Sequence, residues 1–99
     1  MFVRLNVEKE FVLKGLEYWF DGVVDVEIYQ DVQDFDNFSV TTPLIQEVLY
    51  VSGAIREAES GADVSRTPIV KLELLKCLEE SQSFYAHVRE YLENARNDI

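Results

Sequence analysis

A single cysteine, Cys77, and a single histidine, His87, are all the thiol and imidazole that this 99-residue chain contains. One cysteine excludes an internal disulfide and fits a reducing compartment. Zinc would have too few cysteine and histidine ligands to be held. The four glycines, Gly15, Gly22, Gly53 and Gly61, are scattered, so there is no glycine-rich phosphate loop. No apolar run approaches the roughly 20 residues that cross a bilayer as a helix. Met1 to Glu10 alternates and then turns charged, without the apolar stretch and cleavage site of a secretory signal. The cytoplasm is the expected address, with no membrane association. With two prolines and no Pro/Gly/Ser-rich tract there is no candidate linker, and residues 1–99 read as one domain.

Positive charge is also scarce, and unevenly so. Nineteen acids face nine bases, for a formal charge of −10. After Lys14 the next basic side chain is Arg56. The forty-one residues between them carry eight acids: Glu17, Asp21, Asp25, Glu27, Asp31, Asp34, Asp36 and Glu47. Outside that segment eleven acids are nearly balanced by the nine bases. Such a chain is repelled by nucleic acid and anionic membranes, and attracted to basic proteins.

What is plentiful is apolar and aromatic material: 47% of residues are apolar and twelve are aromatic. That suffices for a core, so this is a folded protein and not an acidic tail. Seven of the aromatics (Tyr18, Trp19, Phe20, Tyr29, Phe35, Phe38 and Tyr50) fall in the base-free segment. Its acids and apolar residues alternate, as a half-buried antiparallel strand requires. Many of its aromatics are therefore expected in the core, Phe35 and Phe38 among them.

The pattern predicts an α+β fold: a small antiparallel sheet from the N-terminal half, packed against two C-terminal antiparallel helices. Residues 1–41 read mainly as strands. Phe2 to Val7 alternates, while Glu8 to Phe20 fits helix or strand. Asp21-Gly22, between alternating runs, suits a type I′ hairpin turn. Thr42-Pro43 then resembles a helix start, a hydroxyl cap followed by proline. Leu44, Ile45, Val48, Leu49, Ile55 and Ala58 form a helical stripe, predicting a helix over 42–60. Thr67-Pro68 repeats the start signal for a helix over 67–97. Leu74, Leu78, Ser81, Tyr85, Val88, Leu92 and Ala95 are spaced by four and three, a heptad-like seam. Thirty helical residues span about 45 Å, more than the roughly 30–35 Å diameter implied by a radius of gyration near 13 Å. Either the helix breaks in Glu80-Ser81-Gln82-Ser83, or its end projects and makes an oligomer interface of Tyr85, Val88 and Leu92.

Catalytic and metal patterns fail when tested residue by residue. A helix-loop-helix calcium site needs glycine at its sixth position and glutamate at its twelfth. Counting from Asp31 these positions hold Asp36 and Thr42, and from Asp34 they hold Ser39 and Ile45. Cys77 and His87 are ten residues apart, about 15 Å along one helix, too far to act as nucleophile and base. Cys77 is expected in the core and His87 on the surface beside Arg89. Neither enzymatic activity nor a cofactor is expected.

Expectation then falls on a surface. Glu17, Tyr18, Trp19, Asp21, Asp25, Glu27, Asp31, Asp34 and Asp36 are the candidate partner-binding residues. Carboxylates replace phosphates there, and Tyr18 and Trp19 act as anchors. The general composition resembles that of phage anti-defence proteins and toxin-neutralising immunity proteins as a class. That resemblance implies a nucleic-acid-mimicking inhibitor, which binds a basic, nucleic-acid-binding protein and not nucleic acid itself. The alternative is an oligomeric adaptor or assembly subunit, a homodimer working through its C-terminal helix.

Overall fold

In a computed structural model, residues 1–97 are described. Three strands form an antiparallel meander in the order β1 (Phe2–Leu13), β2 (Leu16–Asp34) and β3 (Ser39–Glu57). Two helices follow, α1 (Pro68–Glu80) and α2 (Gln82–Asn97), and lie across one face of the sheet. The class is the α+β arrangement expected, but two of its parts come from unexpected residues.

The first hairpin turns at Lys14-Gly15 and not at Asp21-Gly22. Leu13 pairs with Leu16, and the two residues between them have φ of 51° and 79°. Those are the positive values of a type I′ turn, easy for glycine and tolerable for Lys14. Asp21 and Gly22 lie mid-strand, paired on one side with Glu8 and Val7 and on the other with Ala54 and Gly53. Glycine is needed there for closeness. A Cβ on Gly22 would overlap the Ser52 carbonyl oxygen and come within 2.8 Å of the Gly53 Cα.

The expected helix over 42–60 is mostly β3. Two register shifts explain the false period: Val51 and Gln46 have no partner in β2. Each such bulge inserts one residue and converts the strand spacing of two into three. Ile45, Val48, Tyr50 and Ile55 thus all face the helices at steps of three, two and five, while Leu44 and Leu49 of the expected stripe face the other side. Pro43 is tolerated because β3 is an edge strand and the missing N–H would point off that edge.

The Thr67-Pro68 start does open a helix, in which Val70, Leu74 and Leu78 are buried. It ends at Ser81, whose φ of −83° and ψ of 121° are extended. The same serine caps the next helix: its Oγ accepts the Phe84 N–H at 3.2 Å. Of break and projection, the chain takes the break. The helices follow one another over the sheet and are not an antiparallel pair. Lys71 sits 4.7 Å over the Tyr50 ring, the Val48 N–H donates to Glu79, and the Tyr85 hydroxyl donates to the Pro43 carbonyl at 2.5 Å. These contacts step along β3 in one direction.

The core is one cluster. Val3, Leu5, Val7 and Phe11 from β1 and Phe20, Val24, Val26 and Ile28 from β2 meet Leu74, Leu78, Phe84 and Val88 from the helices. Each fully buried aliphatic or aromatic side chain contributes about 1.5–3 kcal/mol. No described helix lies on the opposite face of the sheet.

Candidate functional site

Strand alternation sends every second residue of the sheet to the uncovered face, and the register brings three strands together there. Glu8 and Glu10 arrive from β1, Glu47 from β3, and Glu17, Asp21, Asp25, Glu27 and Asp31 from β2. Residues directly opposite on one face have Cβ atoms about 4.5–5.5 Å apart. Two of these pairs are like-charged: Glu8 with Asp21, and Glu27 with Glu47. Along β2 these carboxylates stand four residues, about 13 Å, apart, except Asp25 and Glu27, which are two residues, about 7 Å, apart.

The face is not wholly free of bases. Arg4 pairs with Asp25 through two hydrogen bonds, Nε at 2.9 Å and Nη2 at 3.1 Å. That guanidinium holds the Asp25 carboxyl below the usual aspartate range, against a weaker opposing effect of burial. Arg56 lies opposite Trp19, which lies opposite Glu10. Trp19 is 38% exposed. Phe2, Leu49 and Tyr29 add further exposed apolar area among the acids.

Of the candidate binding residues, Glu17, Trp19, Asp21, Asp25, Glu27 and Asp31 share this face. Tyr18 does not: it is buried on the helix side, stacked on Phe11 with ring centroids 5.4 Å apart. It follows Glu17 by one position and so points the other way. Asp34 and Asp36 lie at the far end of the β2–β3 hairpin, where the Ser39 hydroxyl donates to Asp34 at 2.6 Å. Sequence reasoning missed Glu8, Glu10 and Glu47. The alternation of Arg4, Asn6, Glu8 and Glu10 signals the first two, whereas the helical reading of 42–60 hid Glu47.

The expected oligomer interface is occupied within the chain. Val88 is 0% exposed, Leu92 packs on the core, and Tyr85 is bonded to Pro43. The α2 seam covers its own sheet. Phe35 and Phe38, expected in the core, are 52% and 60% exposed and stack on each other at 4.9 Å. They close the β2–β3 hairpin, where no described residue buries them.

Cys77 is half-buried, and its thiol is pushed up by burial and by Glu73, away from nucleophilic reactivity. Among the described residues, no group of three or more His, Cys, Asp or Glu side chains is placed to hold a metal ion. No described helix is long and apolar enough to cross a membrane. No protein-family model, curated protein or solved structure matches this chain. The open face presents spaced carboxylates together with exposed apolar side chains.

Proposed function

We propose that this protein is a non-catalytic binding protein whose uncovered acidic face docks on a cationic, nucleic-acid-binding surface of another protein and blocks it. One observation carries the reading: Glu8 stands opposite Asp21 and Glu27 opposite Glu47 on a solvated face. Solubility alone is better served by interspersed signs, since like charges directly opposite destabilise a sheet. Two such rungs on one face are explained by a partner that supplies the missing cations. Lysines and arginines that neutralise phosphates accept spaced carboxylates by the same electrostatics, and an acidic field speeds the encounter. Trp19, Phe2 and Leu49 are positioned among the acids as apolar anchors.

The test is capture of basic proteins by the immobilised protein, with a salt series and double-stranded DNA as competitor. Capture should fall as salt shortens the screening length below about 8 Å, and DNA should displace what is bound. The variant Asp21→Lys with Glu27→Lys should retain its circular dichroism and lose capture. A folded double variant that captures the same proteins in equal amount would sink the proposal.

A further inference from the structure

The strands of the sheet differ in how their edges end. β1 stops short: the Ile28 N–H donates to the Met1 carbonyl at 2.8 Å, and among the described residues β2 has no strand on that side beyond it. In an antiparallel ladder the backbone groups of alternate residues point the same way. Those of Ile28 point towards β1, so those of Gln30, Val32 and Asp34 point the same way, to an open edge. From Tyr29 to Asp34, β2 pairs with β3 alone as a two-stranded ribbon, an arrangement of marginal stability by itself. Tyr29, Val32, Phe35, Phe38, Val40 and Leu44 on that ribbon are all exposed.

We infer that this edge pairs with the same edge of a second copy, antiparallel about a two-fold axis at Val32. Val32 is the middle of the three residues whose backbone groups face the open edge, Gln30, Val32 and Asp34, so the pairing fills that edge in each copy. The N–H and C=O of Val32 bond those of the second copy's Val32, and Gln30 exchanges both bonds with the second copy's Asp34. The side chains agree with this register. Tyr29 meets Phe35, Asp31 meets Gln33, and Gln30 meets Asp34, so no acid faces an acid.

Charge complementarity favours the same register. On the helix side of the sheet, Gln30 and Arg89 line one cleft together with Leu92 and Met1. The second copy's Asp34, opposite Gln30, brings its carboxylate to that cleft and to the Arg89 guanidinium. Arg89 is half-exposed, and among the described residues its guanidinium meets Glu93 loosely at 3.9 Å and lies 6.0 Å from the Tyr85 ring centre. The free edge of β1 is a poorer candidate, because Arg4, Glu8 and Glu10 guard it. The contact is isologous and closed, and it leaves the two acidic faces on one side of a continuous sheet.

The experiment needs no partner protein, so its failure is distinct from failure of the acidic-face reading. Sedimentation of the purified chain from micromolar to millimolar concentration should show a monomer–dimer equilibrium. Val32→Pro removes an N–H that has no role within the monomer, and should weaken dimerisation by about tenfold or more. In a Cys77→Ser background, Asp31→Cys with Gln33→Cys should give disulfide-linked dimers. The paired positions lie within bridging distance across the dyad, whereas neighbours two apart along one strand do not. If Val32→Pro fails to fold, the cysteine pair decides. A monomer at every concentration, or a dimer that does not cross-link through these positions, overturns the inference.

Discussion

The two faces of β2 are made from alternate residues of one strand, and they obey opposite rules. Phe20, Val24 and Val26 point to the helices and are fully buried, while Trp19, Asp21 and Asp25 between them look out from a bare surface. The covered face is consistent at every level: apolar side chains, matching helix stripes, and no unpartnered buried polar side-chain atom among the described residues. The open face breaks a local rule twice, with carboxylate opposite carboxylate. Departures of this kind concentrate where a protein serves something other than its own stability.

The largest test of that contrast exchanges the rules. Val88→Asp places an unpaired charge against the covered face and should destabilise by about 4 kcal/mol or more. Urea denaturation should show the loss as unfolding, whereas an exposed oligomer seam would lose only association. Next come neighbours in sequence. Phe20→Ala should cost about 3–5 kcal/mol, whereas Trp19→Ala, on the open face, should cost far less and impair partner capture. Equal losses at the two positions would erase the distinction between the faces.

A smaller effect has the opposite sign. Glu27→Lys converts a like-charged rung with Glu47 into an attractive one, and should stabilise by about 0.2–1 kcal/mol. A thermal melt at low salt would reveal it, and added salt should shrink the difference. The smallest expected effect is the pH response of the Arg4–Asp25 pair. The folded Asp25 carboxyl is held low, so its contribution is present above the ordinary aspartate range and is lost as pH falls through the depressed value. Arg4→Gln should abolish this component of the acid melt while leaving the melt near neutrality little changed, because the pair is solvent-exposed.

Much of the architecture was legible because it depends on local period. Alternation in Phe2 to Val7 and in Val24 to Ile28 marked strands, and Thr67-Pro68 marked a helix. Two misreadings have a common cause, since both concern places where distant backbones determine local form. Gly22 looks like a turn residue, yet its lack of a side chain serves contact with Gly53, thirty-one positions later. The stripe from Leu44 to Ile55 looks helical because bulges at Gln46 and Val51 stretch the strand period and because Leu44 and Leu49 are apolar residues of the opposite face. The site was legible to the same extent: the β2 acids were found, whereas Glu8, Glu10 and Glu47 needed the register.

By itself, then, the sequence determined the charge, the amount of apolar material and the period of most segments, since these are properties of residues and near neighbours. Only the tertiary structure decided which face stays bare, which acids share it, and that the seam of α2 closes on its own sheet. Those outcomes depend on register and on which surface buries more apolar area, and both are set by residues far apart in the chain.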